Sequence, residues 1–349
     1  MPSVGPMFLP PFVPNPRLDQ LPPSWVDGIS IRVLRLDLID QLISGNKWYK
    51  LRYYLQEAKE KALKVVTYGG AWSNHILATA VACQRMNIPC AGIIRGEKPV
   101  NPSATLLNAI NAGMELVFVS RSEYADKILP ARFHGPGILV IPEGGYGPTG
   151  ARGAATILDQ PGAGRFTHCF CAVGTGTMMA GLINALLPGQ RVTGIPVLND
   201  SQLVSAVSKL VIQPKGITVQ NDNQLISSAS ELVFQRNDSD IGNSTGTGPG
   251  NYTPDLKENL QIYQSGNWEL INGFEFGGYA RYRDPLIRFM NDFYRQTSIP
   301  TDFVYTGKLF YAVKSLLRTG WLPRGSEVLV VHSGGIQGNA GLPSDSLIF

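Results

Sequence analysis

Val65-Val66-Thr67-Tyr68 runs straight into Gly69-Gly70-Ala71-Trp72-Ser73-Asn74-His75, and the small residues that follow keep a helical pattern to about Arg85. A short apolar strand, a glycine turn and a helix make one unit of a parallel sheet buried on both faces, since a strand with one wet face would alternate. Working outward, the unit repeats: a strand at Cys90 to Ile94, a helix near Ala104 to Ala112, and strands at Leu116 to Val119 and Ile138 to Ile141. The same order returns with a strand at His168 to Val173, the turn Gly174-Thr175-Gly176-Thr177, a helix from Met178 to Leu187 and a strand from Val192 to Val197. Strands alternating with helices predict an α/β fold with mainly parallel sheets, in two units bordering near Arg152 to Gly164. Upstream lie a Pro-rich lead-in to Pro16, a strand from Ile29 to Leu36 and a helix from Trp48 to about Ala62. Downstream come a helix from Arg283 to Gln296, the turn Tyr305-Thr306-Gly307-Lys308 opening another helix, and a strand from Val328 to Val331 ending in His332-Ser333-Gly334-Gly335. No internal sequence repeat is visible.

The chain has 349 residues, which a soft prior of ~150 residues per domain divides into two. Hydrophobic residues make up 44% and charged residues 16%, an ordinary globular balance. The net charge of +4 is spread along the chain, too diffuse for a nucleic-acid partner. Cys83, Cys90, Cys169 and Cys171 read as buried free thiols, because four cysteines do not frame a chain this long and no second ligand pair completes a metal site. The first residues lack a basic start and are broken by prolines, unlike a secretory signal. No charge lies between Arg165 and Arg191, yet the glycines and threonines of that segment favour a turn over a membrane span. A soluble, cytoplasmic protein with no membrane partner is expected. The polar stretch from Pro214 to Lys257 reads as a flexible surface insertion, and the sequon-like triplets at Asn237, Asn243 and Asn251 as unmodified.

Three turns carry chemistry. In Ser44-Gly45-Asn46-Lys47-Trp48-Tyr49-Lys50-Leu51 either Ser44 or Asn46 can cap the helix, leaving Lys47 in its first turn. There the helix dipole disfavours a cation, and Lys50 one turn on adds a second charge. Both lower the Lys47 amine toward the neutral form that a Schiff base or a proton-abstracting lysine requires; the alternative is a solvated surface lysine. The Ser73-Asn74 turn can hold a carboxylate or simply cap its helix, and His75 reads as a helix-surface or packed residue. The Gly174 to Gly181 stretch can cradle a phosphate or be a tight turn without ligand. Met179 stands where the dinucleotide fingerprint needs its third glycine. A serine hydrolase fits poorly, because Ser73 lacks the nucleophile elbow.

Taken in order, Gly45-Asn46-Lys47, Gly69-Gly70 with Ser73-Asn74, Ile141-Pro142-Glu143-Gly144-Gly145, the Gly174 loop, Gly277-Gly278-Tyr279, Val304-Tyr305-Thr306-Gly307-Lys308 and His332-Ser333-Gly334-Gly335 form one series. It resembles the aminocyclopropane-carboxylate deaminase and D-cysteine desulfhydrase family of pyridoxal phosphate enzymes, from about Arg32 to Asn339. The resemblance implies a tryptophan-synthase-β-like, fold-type II architecture. A large domain would comprise residues 1–48 and 160–349, with the polar insertion at about 214–257, and a small domain residues 49–159, the cofactor lying between them. Lys47 would be the Schiff-base lysine. Asn74 would bond the ring oxygen of the cofactor, Ser73 the substrate carboxylate, and Gly174, Thr175, Gly176 and Thr177 the phosphate, with Tyr279 and Tyr305 flanking substrate and ring. A homodimer is implied as well.

Two positions bear on the reaction. The deaminases of the family carry Glu and Leu where this chain has Thr306 and Ser333. A carboxylate at the pyridine nitrogen keeps it protonated and makes a strong electron sink, whereas a hydroxyl supports a neutral nitrogen, which suffices when a good leaving group departs from the β-carbon. The resemblance therefore implies a lyase of the D-cysteine desulfhydrase type, releasing thiol, pyruvate and ammonia from a small amino acid. The alternatives are an aminocyclopropane-carboxylate deaminase, a deaminase or dehydratase of another amino acid, and a cofactor-binding protein with little turnover. Tyr49 and Ser44 depart from the deaminase pattern, as does the segment from Pro214 to Lys257.

Overall fold

The computed structural model of the chain describes residues 15–43, 45–212, 225–226 and 260–349. Most of the Pro-rich lead-in, Ser44, the triplets at Asn237, Asn243 and Asn251, and nearly all of the polar stretch 214–257 lie outside the described residues.

Two sheets carry the fold. The larger runs β1 (Arg17–Gln20), β2 (Ser30–Arg35), β12 (Glu327–His332), β7 (His168–Val173), β8 (Arg191–Pro196), β11 (Trp268–Asn272), β10 (Gln261–Ser265) and β9 (Leu225–Ile226). Its five central strands are parallel, and β1, β10 and β9 add antiparallel edges. The smaller is wholly parallel, in the order β5 (Glu115–Val119), β4 (Cys90–Arg95), β3 (Lys64–Gly69) and β6 (Ile138–Ile141). This is the α/β architecture expected.

Its apolar strands follow from being covered twice. Along β7, Phe170 and Ala172 enter one hydrophobic cluster while Cys169, Cys171 and Val173 enter another on the opposite face. Along β12, Val328 and Val330 alternate with Leu329 and Val331 in the same way. All four cysteines are buried and free. The helices are α1 (Asn46–Glu60), α2 (Asn74–Met86), α3 (Ala104–Asn111), α4 (Arg121–Ala125), α5 (Pro148–Ala155), α6 (Thr177–Asn184), α7 (Leu203–Ser208), α8 (Asp284–Thr297) and α9 (Thr306–Arg318). The uncharged run between Arg165 and Arg191 is strand, turn and helix, and no helix among the described residues is long and apolar enough to cross a membrane.

Helix α1 joins the two sheets. Leu51, Tyr54, Leu55 and Ala58 pack into the cluster of the smaller sheet, and Tyr49 into that of the larger. Its start corrects one expectation: Gly45 is the cap residue, without a side-chain cap bond, and Asn46 is already helical. The Asn46 amide is committed elsewhere, donating to Met178 Sδ at 3.3 Å. The sequence also left β1, the β10–β11 hairpin and α5 unassigned. Helix α5 packs on α6, with glycines at their crossing.

Candidate active site

The carboxyl ends of strands from both sheets face one cavity of about 270 Å³, the crevice in which open α/β sheets hold ligands. The turn after β7 supplies Gly174, Thr175 and Gly176, and the end of β12 supplies Ser333 to Gly335. From the smaller sheet come Ser73, Asn74 and His75 after β3 and Glu143 and Gly144 after β6, while α1 adds Asn46, Lys47 and Lys50.

Lys47 reaches the cavity because α1 docks end-on against β12. The Asn46 amide N–H donates to the Ser333 carbonyl at 3.1 Å, and Gly45 turns the chain there with φ +53°. A Cβ at position 45 would overlap that carbonyl, so this entry needs glycine. Lys47 Nζ donates to Asn46 Oδ1 at 3.0 Å. Desolvation lowers its pKa from 10.5 to about 8, partly opposed by the Asp302 carboxylate. Lys50 is buried in the same cavity, its Nζ 3.4 Å from the Gly144 carbonyl. Burial, and next the charge of Lys47, hold its amine well below the ordinary lysine range.

Around these amines the turn residues are tied down. Ser73 caps α2, its Oγ accepting the Ile76 N–H at 3.3 Å, and still lines the cavity, so the capping and ligand readings of this turn are compatible. His75 is buried. Thr67 Oγ1 donates to the Ile141 carbonyl at 2.8 Å and lies 2.8 Å from His75 Nε2. With its one proton committed, Thr67 accepts from Nε2–H, and His75 Nδ1 is left as a buried acceptor without a partner in the structure. Desolvation, with Lys47 and Lys50 nearby, pushes the imidazole well below its usual pKa and keeps it neutral. In the glycine turn the Thr175 and Thr177 hydroxyls are 3.0 Å apart; Thr175 lines the cavity, whereas Thr177 is fully buried beneath it.

Tyr279 and Tyr305 close one side. Their rings meet edge to face with centroids 6.0 Å apart, and Tyr305 OH donates to Tyr279 OH at 3.2 Å. Burial raises both phenols, so they stand as hydroxyl donors and not as bases. The two residues expected to mark the reaction part company here. Ser333 lines the cavity, but Thr306 is fully buried away from it and donates to Asp302 Oδ2 at 2.6 Å.

Sequence reasoning missed three buried groups behind this wall. The Asp302 carboxylate accepts the N–H groups of Val304, Tyr305 and Thr306 at 2.9, 2.7 and 3.0 Å, fixing the start of α9 and hence Tyr305. Asp302 N–H donates in turn to Thr306 Oγ1 at 2.8 Å, so the two residues bond each other across the turn that opens α9. Next to Ser333, His332 Nε2 donates to the Pro300 carbonyl at 2.8 Å, and its Nδ1 lies 3.2 Å from Asp37. Arg35 grips Asp37 with two bonds of 2.9 and 2.6 Å and reaches Asp19 at 2.8 Å, giving a chain of buried charge under the end of β12. Lys308, fully buried in the first turn of α9, is the third.

The arrangement suits a phosphorylated aldehyde. A lysine amine with its pKa lowered to about 8 faces the same cavity as a glycine turn opening helix α6. A family model described as "Pyridoxal-phosphate dependent enzyme" matches residues 33–334. Among curated proteins, one of Thermotoga maritima named "Putative 1-aminocyclopropane-1-carboxylate deaminase" is 30% identical over 329 residues, 89% of this chain and 90% of that protein. A "D-cysteine desulfhydrase" of Serratia proteamaculans is 27% identical over 192 residues, 49% of this chain and 58% of that protein. A solved structure described as an ACC deaminase homologue has a TM-score of 0.68 at 25% identity and covers 93% of this chain and 90% of its own.

Proposed function

The chain belongs to the pyridoxal-phosphate dependent enzymes, in the fold-type II group that includes ACC deaminase and D-cysteine desulfhydrase, and from that premise we propose a β-eliminating lyase acting on a small amino acid. D-Cysteine is the substrate proposed, with thiol, pyruvate and ammonia as products. What supports this reading is Ser333, which lines the cavity beside the α1 start at a position where, by the family resemblance, the deaminases carry Leu. Thr306, turned into Asp302, lends no direct weight, so the case rests on Ser333.

Lys47 is the residue proposed to carry the cofactor. The amides of Gly174 to Thr177 would hold its phosphate, Asn74 its ring oxygen and Ser333 its ring nitrogen. When bound, pyridoxal phosphate supplies the electron sink for the substrate's α-carbon. The rest falls to the chain. Ser73 and the free N–H groups at the start of α2 orient the substrate carboxylate. Lys47, exchanged for the substrate amine, takes the proton from the α-carbon. The C–S bond then breaks with its electron pair on sulfur. Tyr305 donates to Tyr279, which leaves the Tyr279 proton free to meet the departing thiolate. Water hydrolyses what remains to pyruvate and ammonia. A homodimer is proposed on the family resemblance alone.

The purified enzyme should release sulfide and pyruvate in equal amounts from D-cysteine, and Lys47→Ala should lose this by at least about 10³-fold, as enzymes stripped of a nucleophile or base do. Release of 2-oxobutyrate from 1-aminocyclopropane-1-carboxylate, without sulfide from D- or L-cysteine, would favour the deaminase reading suggested by the name of the Thermotoga relative.

A further inference from the structure

Lys308 is 0% exposed, and lysine is almost never fully buried unless its charge is paired. Among the described residues no carboxylate forms an ion pair with it, although the Asp302 and Glu275 charges favour its protonated form. Its Nζ instead donates to the carbonyls of Glu275 and Gly278 at 2.7 Å each and of Val197 at 3.3 Å. Three N–H donors meet three backbone acceptors, so its hydrogen bonds are all made to backbone, while burial lowers its pKa from 10.5 to about 8.

Those carbonyls belong to two walls of the cavity. Val197 directly precedes Leu198, which lines the cavity after β8, and Gly278 directly precedes Tyr279. The turn holding Tyr279 is an awkward piece of backbone. Phe276, Gly277, Gly278 and Ala280 all have positive φ, at 52°, 96°, 115° and 52°, and two of them are not glycine. Such conformations persist only where the surroundings over-determine them. Within the turn, Gly278 N–H donates to the Glu275 carbonyl at 3.0 Å and Arg281 N–H to the Gly278 carbonyl at 3.1 Å. Lys308 takes up the second lone pairs of the same two carbonyls. Tyr279 itself is half exposed, and its hydroxyl meets Tyr305.

We propose that Lys308 is a positioning residue for Tyr279, its buried ammonium pinning the turn 275–280 to the end of β8 and so fixing where the Tyr279 hydroxyl stands in the cavity. Its kinetic consequence rests on the role given to Tyr279 above; the anchoring itself does not. The first test is hydrogen exchange followed by mass spectrometry on the cofactor-loaded enzyme, comparing Lys308→Met with the parent. Loss of two or three charge-assisted bonds should speed exchange in peptides covering 273–282 by about tenfold or more, with β7 and β12 unchanged. The second is a double-mutant cycle. Lys308→Met should lower kcat by about tenfold or more while the cofactor absorbance is kept, yet cost less than about threefold when added to Tyr279→Phe, because both changes act on one hydroxyl. Unchanged exchange over 273–282, or full additivity with Tyr279→Phe, would overturn the proposal. Should Lys308→Met not fold, Lys308→Gln, which keeps two donors, carries both tests with intermediate effects expected. An enzyme inactive on every cysteine tried would sink the β-elimination reading and leave the exchange test intact.

Discussion

At Lys47 the sequence calls for a lowered amine pKa for one reason and the structure lowers it for another. The helix start and the neighbouring Lys50 called for a depressed amine, and the amine is depressed, to about 8. The leading cause is desolvation, which no local pattern spells out; Lys50 is itself held down, with the charge of Lys47 contributing. The folded value lies below the ordinary lysine value of 10.5, so the amine is mostly protonated below pH 8 and mostly neutral above it. Recombination of the apoprotein with pyridoxal phosphate, followed by absorbance, should therefore speed up about tenfold per pH unit up to about 8 and then level off, because only the neutral amine attacks. A rate still climbing tenfold between pH 9 and 10 would mean that Lys47 is an ordinary exposed lysine. Asp302 and Lys308 escaped the sequence because an acid before a helix and a lysine within one read as caps and surface charges. Only the fold shows that both are 0% exposed.

At the scale of elements, the legible ones were those whose burial is two-sided and therefore written as continuous apolar runs. His168–Val173 and Ile138–Ile141 end where the sequence placed them. Helix α5, Pro148-Thr149-Gly150-Ala151-Arg152-Gly153-Ala154-Ala155, was not legible, since two glycines weaken helix propensity. Packing supplies what propensity lacks: a Cβ at Gly150 or Gly153 would overlap backbone carbonyls of Gly145 and Tyr49, so glycine is what lets α5 sit against them. The β10–β11 hairpin had a readable signal in Gly266-Asn267, a two-residue turn with φ +56° at the glycine, masked by its proximity to the polar stretch. The charge chain under β12 is also an element-level feature, because Arg35 and His332 are register partners on adjacent strands. Asp37 is nearly sealed while Asp19 at the far end is 20% exposed. Asp37→Asn should then cost about 3–5 kcal/mol in urea unfolding by leaving buried positive charge uncompensated, and Asp19→Asn about 1 kcal/mol or less. Equal small losses for both would show that the buried chain does not hold the end of β12.

At the scale of the whole molecule, no local pattern signals that β2, near the start of the described chain, lies between β1 and β12, near its end. Strand pairing at such separation depends on which apolar faces remain to be covered, and nothing local encodes the partner. Yet that pairing brings Asn46, Lys47 and Ser333 together, so the site is a product of topology as much as of motifs. Two sheets contribute their carboxyl ends to one cavity, and α1 brings two lysines, Lys47 and Lys50, to it. The most direct measurement is borohydride reduction of the cofactor-loaded protein followed by peptide mass mapping. The pyridoxyl group is expected on Lys47, with the visible absorbance of the loaded enzyme absent from Lys47→Ala. A pyridoxyl group on Lys50 instead, or a visible band that survives Lys47→Ala, would contradict the assignment of the reacting amine.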